Sequence, residues 1–214
     1  MNRWQVFREL RSAMRDPNRL GDVAAYKSEL GGTRARPEVE AQLDGVRDYR
    51  PPVDLDALEQ LPAGTLGREY ARFLKANGLN PFLLSDQVPA DIVARNALVI
   101  RYGIIHDMVH VLTGFDSSWP GEVGVWAFVG GQYYSRGLQM ASLTALLVAP
   151  LFSPLRLGQA FRAFRRGWAM GKAAKLLIAE RLEEDFDTPL ETLRARLDIE
   201  GARDEYVAAE ALTA

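Results

Sequence analysis

Cysteine is absent from this chain of 214 residues, and histidine occurs only twice. The lack of cysteine excludes disulfide bonds, cysteine nucleophiles and thiolate ligands for metals. Any metal site must therefore be built from imidazole nitrogens and carboxylate oxygens. With so few histidines available, their positions become the most informative feature of the chain.

The chain also lacks an apolar run long enough to span a bilayer, which takes about 20 residues. The nearest stretch, 138–157, is interrupted by Pro150 and Pro154. It is interpreted either as a buried core helix or as a segment that contacts lipid or lines an apolar pocket. The N-terminal run MNRWQVFREL is charged throughout, so no secretory signal is expected, and Glu9 and Asp16 argue against a transit peptide.

Neither charge is present in large excess. Lysine and arginine total 26, aspartate and glutamate total 28, and the net charge is −2. This balance gives no reason to expect a nucleic-acid partner. Hydrophobic residues make up 48% and charged residues 25%, which is typical of a folded globular protein rather than a disordered one.

The periodicity of apolar residues predicts helices nearly everywhere. No strand–turn–strand signal of the Asn-Gly type lies between alternating segments. We therefore expect an all-α protein, with residues 1–214 forming a single-domain multi-helix bundle. The strongest start and stop signals predict helices over 16–30, 65–77, 90–113 and 157–181, and a last short helix opened by a capping box at Thr188-Pro189.

The two histidines, His106 and His110, are four residues apart in the run HDMVHVLTG. Residues at i and i+4 project from the same face of a helix. Asp107 lies between them, and Glu122 follows His110 after eleven residues. Two imidazoles with nearby carboxylates can bind a divalent metal. The alternative is a pair of core or surface histidines whose nitrogens are satisfied by hydrogen bonds.

The predicted helix over 90–113 ends at Gly114, and Pro120 opens the next helix. Glu122 would then lie in a first turn, from which its carboxylate could return to the histidines across a short loop. The sequence therefore predicts a metal site between two helices. An acidic residue in a first turn is also favoured by the helix dipole alone, so this simpler explanation of Glu122 stays open.

Two known motifs come close to this spacing. The metalloprotease signature H-E-x-x-H has glutamate after the first histidine, whereas this chain has the shorter Asp107 and no third histidine. The His-Asp phosphohydrolases require a further histidine upstream, and none precedes His106. Both kinds of enzyme are therefore disfavoured.

The spacing is instead similar to that of the coenzyme Q biosynthesis protein four family. Its hallmark is His-Asp-x-x-His followed, after eleven residues, by glutamate. LPAGTLGREYARFL (61–74) resembles the Leu-Gly-x-x-Tyr helix of the family, and Arg101-Tyr102 resembles its Arg-Tyr pair. The basic helix and Leu-Arg-x-x-Leu ending within 164–199 are also similar, so the resemblance covers about 15–199.

The resemblance implies a mostly helical protein that binds zinc, or another divalent metal, through His106, Asp107, His110 and Glu122. It implies a role in ubiquinone biosynthesis, namely removal of the C1 carboxyl group of a polyprenylated hydroxybenzoate, with hydroxylation at that carbon. It also implies organisation of the biosynthetic enzymes. We expect a metal-dependent carboxy-lyase whose four metal ligands act catalytically through the metal. A non-catalytic prenyl-lipid-binding scaffold and a metal-dependent hydrolase are the alternatives, and a four-ligand site could also be purely structural.

Several positions depart from the family. The chain has Gly103 and Ile104 where the family has Arg-Glu, and Trp126 and Val129 where it has a lysine and a glutamate. The segment 80–91 before the metal helix is altered too. These differences bear on the substrate and on turnover more than on metal binding.

Further expectations concern partners. Arg101 is a tentative catalytic residue that could bind the substrate carboxylate, although a surface arginine is the plainer interpretation. The segments 138–157 and 161–175 could contact a prenyl tail or an anionic membrane surface; a solvated helix face is the alternative. We expect a homo-oligomer in the bacterial cytoplasm, peripheral to the inner membrane, that works with a quinone precursor and with other ubiquinone biosynthesis proteins.

Overall fold

The computed structural model describes residues 1–16 and 19–204. Within these residues the chain folds into α-helices and short 3₁₀ turns without β-strands, which confirms the all-α prediction. The prediction of one domain over 1–214 includes residues 205–214, which lie outside the described part. The helices are α1 (Arg3–Ala13), α2 (Leu20–Gly31), α3 (Pro37–Glu40), α4 (Leu55–Glu59), α5 (Leu66–Ala76), α6 (Ala90–Arg95), α7 (Ala97–Thr113), α8 (Trp119–Gly131), α9 (Arg136–Phe152), α10 (Leu157–Ala173) and α11 (Leu190–Arg196).

Helix α1 was not expected from periodicity, and a capping box explains why it forms. The side chain of Asn2 accepts a hydrogen bond from the backbone N–H of Gln5, and the Gln5 side chain accepts one from the N–H of Asn2. Asn-x-x-Gln is a helix-start pattern that was present in the sequence. The apolar face of α1 packs on α2, and together they bury Val6, Leu10 and Tyr26.

Two predicted helices match closely. The predicted helix over 65–77 is α5, whose end is followed by Gly78 at φ 62°. The predicted helix over 16–30 is shorter at its start, because α2 begins at Leu20; Pro17, the expected initiator, lies outside the described residues. Left-handed backbone at φ 66° ends α2 at Gly32, as expected of a glycine stop.

The predicted single helix over 90–113 is wrong at one point, since Asn96 separates α6 from α7. The buried Asn96 side chain donates to Glu29 Oε2 at 2.7 Å and to the carbonyl of Ile92 at 2.9 Å. Asparagine competes for backbone hydrogen bonds in this way and so favours helix boundaries over helix interiors. The break lies well before the two histidines, which share α7 as predicted.

Helices α8 and α10 approach each other closely because glycines line their contact. A Cβ atom on Gly167 would overlap the carbonyl oxygen of Gly124, and one on Gly171 would overlap that of Phe128. Backbones this close leave almost the whole of α8 buried. This packing holds the first turn of α8, where Glu122 lies.

Helix α10 ends at Ala173, so the prediction that it continues to residue 181 is wrong. After it the chain is extended, and its N–H groups find partners elsewhere: Lys175 donates to the carbonyl of Leu197 and Leu177 donates to Gln132 Oε1. These contacts replace the helical hydrogen bonds. The last helix, α11, begins at Leu190 without the predicted capping hydrogen bond from Thr188.

Helix α9 has an unusual distribution of side chains. Its buried residues are mostly small, whereas its large apolar side chains face outward. Leu147 is 77% exposed and Leu151 is 80% exposed. No single helix in the described part of the chain is long and apolar enough to cross a membrane, although Arg136–Phe152 and Pro154–Ala173, which meet at a bend of 118°, reach that length and hydropathy together.

Candidate metal centre

The end of α7 fixes the position of His110. Gly114, at φ 75°, terminates the helix and donates its N–H to the carbonyl of His110. The chain then folds back, and the carbonyl oxygen of Phe115 lies 3.2 Å from His110 Nδ1. A carbonyl can only accept, so Nδ1 carries the proton when the imidazole is neutral. The lone pair is then on Nε2, as a metal ligand requires.

The ring of His110 is also held by packing. It stacks on the ring of Phe73 in α5, with centroids 5.0 Å apart, and its side chain is 1% exposed. The amphipathic helix α5 thus forms one wall of the site. A buried imidazole with one nitrogen fixed by a carbonyl can turn only its Nε2 toward a ligand.

A tight loop carries Glu122 toward the histidines. Asp116 Oδ1 accepts hydrogen bonds from the N–H and hydroxyl of Ser118, the residue that precedes α8. A Cβ atom on Gly121 would overlap the carbonyl oxygen of Asp116, so the loop runs against the first turn of α8. This close approach needs glycine and directs Glu122 toward the end of α7.

His106, His110 and Glu122 converge as the sequence predicted. One ligand atom from each lies within 4.8 Å of the others. His110 Nε2 is 3.3 Å from Glu122 Oε1, and His106 Nε2 is 3.7 Å from Glu122 Oε2. Ligands about 2.1 Å from a tetrahedral ion are about 3.4 Å from one another. The separations in this cluster, the triad, therefore fit a divalent cation.

Asp107, the fourth predicted ligand, lies outside the triad. Its Oδ1 is 3.1 Å from His106 Nδ1. A carboxylate in this position orients the imidazole and strengthens Nε2 as a donor, an arrangement common behind histidine ligands. Direct coordination by Asp107 stays a prediction, since it requires the carboxylate to turn away from His106.

The electrostatics of the triad couple its members. Burial lowers the pKa of His106, but the hydrogen bond and charge of Asp107 and the charge of Glu122 outweigh it, so the net shift is upward. Burial raises the pKa of Glu122, but His110 and His106 outweigh it, so the net shift is downward. Without a metal, this arrangement favours a protonated His106 beside an ionised Glu122.

The triad has a closed side and an open side. The His110 side chain is buried, whereas those of His106 and Glu122 are 24% and 30% exposed. A metal held here would be reached from the side of His106 and Glu122. The arrangement suits binding and polarisation of an oxygen-bearing ligand from that side.

Arg101, the tentative catalytic residue, has a different setting. Its guanidinium forms a buried two-pronged pair with Glu183, with Nη2 and Oε2 2.8 Å apart, and donates to the carbonyl of Glu180. Both side chains are 1% exposed. These contacts attach 180–183 to α7, so they indicate a structural role for Arg101 and do not support the surface interpretation.

Sequence reasoning missed the function of Arg194. Its guanidinium donates to the carbonyls of Val111 and Leu112, in the last turn of α7 directly after His110. A cation there satisfies free carbonyls and suits the negative end of the helix. The Leu-Arg-x-x-Leu ending contained this arginine, but only the fold could show what it contacts.

An aromatic pair begins beside the triad. The ring of Tyr102, one turn before His106, is roughly perpendicular to that imidazole at 5.5 Å, and Trp126 lies 6.1 Å from Tyr102. Burial, followed by the charge of Glu122, raises the pKa of Tyr102 well above its usual value, so the phenol keeps its proton. Trp126, identified as a departure from the family, thus lies beside the site, whereas Val129 is in the core.

The departures at Gly103 and in 80–91 belong together. A Cβ atom on Gly103 would overlap the ring of Phe82. The loop before α6 therefore packs an aromatic ring against α7 where a side chain would otherwise stand. Neither change by itself was informative in the sequence.

Comparison with known proteins identifies the family of the chain. The sequence profile of the coenzyme Q (ubiquinone) biosynthesis protein Coq4 matches residues 47–203. The mitochondrial ubiquinone biosynthesis protein COQ4 homolog of Nematostella vectensis is 33% identical over 156 residues, which are 71% of this chain and 73% of the relative. The rat homolog is 35% identical over 153 residues, 69% of this chain but 55% of the relative. The chain thus spans only about half the length of some relatives.

A solved structure is similar over most of the chain. The crystal structure of a Nostoc punctiforme protein, provisionally assigned to ubiquinone biosynthesis, superimposes with a TM-score of 0.62 at 28% identity. The match covers 92% of this chain and 88% of that one.

Proposed function

Because the chain belongs to the Coq4 family of coenzyme Q (ubiquinone) biosynthesis proteins, we propose that it acts on a quinone precursor at the triad. The proposed reaction is removal of the C1 carboxyl group from a polyprenylated hydroxybenzoate. The observation that carries the proposal is the convergence of His106, His110 and Glu122 at an accessible position. Side chains that share no binding role would rarely lie at the distances from one another that metal ligands have.

Decarboxylation requires the site to stabilise the electron pair that the carboxyl group leaves on the ring. The bond between ring carbon C1 and the carboxyl carbon breaks, carbon dioxide leaves, and the electron pair stays with the ring until a proton replaces the carboxyl group. Hydroxylation of the same carbon would additionally consume an oxidant such as dioxygen. A bound divalent metal would act as a Lewis acid on an oxygen of the substrate.

The residues of the chain have distinct parts in this proposal. His106, His110 and Glu122 would hold the metal, and Asp107 would either join them or orient His106. The carbonyl of Phe115 keeps the Nε2 atom of His110 available. Arg101 would hold residues 180–183 against α7 rather than contact the substrate, because its guanidinium is paired with Glu183 and donates to the carbonyl of Glu180.

A polyprenyl substrate also needs an apolar path, since each methylene removed from water contributes about 0.8 kcal/mol. We propose that the outward side of α9 and the bend after it contact a membrane surface. Leu151 and Leu155 are 80% and 100% exposed there, with Arg156 and Arg162 exposed nearby. Between Glu122 and Glu180 the sequence contains no acidic residue, so this surface suits anionic headgroups.

The decisive experiment uses a yeast strain that lacks its own Coq4-family protein. It receives this protein, fused to a mitochondrial leader, with either the native sequence or Glu122→Ala. Ubiquinone and its carboxylated precursor are measured. We expect native protein to restore ubiquinone, and the variant to accumulate the carboxylated precursor.

A second candidate function, a prenyl-lipid-binding scaffold that organises other ubiquinone biosynthesis enzymes, draws on the exposed leucines of α9. It predicts the opposite result in the same strain. Full restoration of ubiquinone by Glu122→Ala would reject catalysis at the triad and favour the scaffold.

A further inference from the structure

The hydroxyl of Tyr102 has no hydrogen-bond partner in the described part of the chain, although its oxygen is fully buried. The residue as a whole is 7% exposed. A buried donor without an acceptor is costly compared with a ring that carries no hydroxyl. Phenylalanine would fill this space without that cost, so the hydroxyl calls for an explanation.

Other buried tyrosines show that this chain usually pairs such groups. The hydroxyl of Tyr134, a residue that is 0% exposed, donates to Gln132 Oε1 at 3.1 Å. The hydroxyl of Tyr26 reaches the carbonyl of Gln87. Tyr102 differs from both in lying beside the triad, with its ring 5.5 Å from that of His106.

The position of Tyr102 follows from helix geometry. It precedes His106 by four residues on α7 and therefore shares its face. The indole of Trp126, in α8, meets the Tyr102 ring at 6.1 Å. The rings of His106, Tyr102 and Trp126 thus form a continuous aromatic cluster that begins at the triad.

From this arrangement we propose that Tyr102 donates a hydrogen bond to a carboxylate oxygen of an aromatic acid bound at the triad, with the acid's ring against Trp126. Tyr102 would thus be the residue that distinguishes a carboxylated ring from an uncharged one. The inference deepens the proposed function and rests on it for the class of substrate. A phenol O–H forms a strong, charge-assisted hydrogen bond with a carboxylate. An aromatic substrate ring can also stack on, or pack edge-to-face against, the indole of Trp126.

The test uses the zinc-loaded, full-length protein and 4-hydroxybenzoate as the probe, with phenol as its uncharged counterpart. Tyr102→Phe removes only the hydroxyl. Titration calorimetry should show about tenfold weaker binding of 4-hydroxybenzoate, the loss expected for one such hydrogen bond. Binding of phenol should change less than about twofold, with zinc content maintained and the melting temperature unchanged or raised, because the variant loses an unpaired buried hydroxyl.

Tyr134→Phe is the matched control, because it removes a buried hydroxyl that is already paired. It should lower the melting temperature and leave the affinity for 4-hydroxybenzoate unchanged. Unchanged affinity in Tyr102→Phe, or no binding of the probe to native protein at millimolar concentration, would overturn the inference. An equal loss for phenol would also overturn it, by removing the carboxylate as the acceptor.

This test is independent of the quinone measurement. Loss of probe affinity in Tyr102→Phe, together with full ubiquinone in the Glu122→Ala strain, would leave the binding role of Tyr102 standing and remove the catalytic function. The reverse combination would remove only the role of Tyr102.

Discussion

Helices α8 and α9 are both apolar, yet the protein uses them in opposite ways. Almost every residue of α8 is buried, and its glycines let α10 approach at backbone distance. In α9 the buried face consists mainly of small residues, such as Ser142, Ala145 and Ala149, while Leu147 and Leu151 face outward. Hydrophobicity alone therefore does not identify a core helix. The placement of small residues shows which face packs on the protein.

The difference matters for function because each helix carries one part of the proposal. Helix α8 holds Glu122 rigidly against α7, so that the triad keeps ligand spacing. Helix α9 leaves Leu147 and Leu151 exposed, so that they are accessible to another surface. Changes on the interior side should therefore affect stability, and changes on the outward side of α9 should affect binding.

The largest effect on the interior side should come from Glu183→Ala. This variant leaves the guanidinium of Arg101 buried without its partner, which we expect to cost about 3–5 kcal/mol in the free energy of unfolding. Urea denaturation measures the loss. Replacing both partners, as Arg101→Met with Glu183→Leu, should restore most of the stability.

The zinc content of that double variant tests whether the role of Arg101 is structural. If the pair is structural, the refolded double variant should bind zinc like the native protein. A free energy of unfolding that hardly changes in Glu183→Ala would show that the buried pair does not stabilise the fold.

The next effect tests the close contact of α8 and α10. Gly167→Ala forces a methyl group against the backbone of Gly124 and should destabilise the protein by about 1–3 kcal/mol. Gly158→Ala on the same helix is the control, because its Cβ finds only ordinary contact. It should be neutral or stabilise by up to about 1 kcal/mol. Equal responses of the two variants would remove the distinction between a closely packed helix and an open one.

On the outward side of α9 and in the bend after it, substitutions should change membrane binding but not stability. Leu151→Glu with Leu155→Glu should change stability by less than about 0.5 kcal/mol, since both side chains are exposed. Flotation with vesicles that contain phosphatidylglycerol should nevertheless fall severalfold for this variant.

Matched substitutions control for the added negative charge. Leu20→Glu with Leu83→Glu makes the same change at leucines that are 67% and 65% exposed elsewhere. That variant should float like the native protein. Failure of native protein to bind vesicles at all would reject the membrane proposal for α9.

The smallest effect concerns pH. The pKa of His106 is raised in the fold, so protonation stabilises metal-free protein below the ordinary histidine pKa of about 6.5. This stabilisation is lost as pH rises through the folded pKa. The melting temperature of metal-free protein should therefore fall by a few degrees between pH 6 and 8.

Bound zinc should reverse that trend, because coordination requires neutral imidazoles. His106→Gln should remove the pH response of the metal-free protein. A response that survives this substitution would have to come from other groups.

Much of the site could be predicted because its signals are local. The spacing of His106 and His110, the stop at Gly114 and the helix start predicted at Pro120, one residue after α8 begins at Trp119, bring three potential ligand side chains together without knowledge of the rest of the fold. The family resemblance is confirmed as well. What local pattern could not supply was the orientation of Asp107, which depends on a side-chain torsion and on its hydrogen bond to His106.

The missed features depend on contacts between distant segments. Asn96 breaks the predicted helix because Glu29 and Ile92 provide partners for its amide. Arg194 caps α7 from the far end of the chain. The absence of a side chain at Gly103 is explained only by the Phe82 ring that packs against it. Pairings across such sequence separations leave no periodic signal in a single chain.

We propose above all that His106, His110 and Glu122 hold a divalent metal. Elemental analysis of purified protein beside the His106→Ala, His110→Ala double variant tests it most directly, with circular dichroism to verify that both preparations are helical. We predict about one zinc ion per native chain and almost none in the variant. Equal metal content in the two folded preparations would show that the triad does not hold the metal.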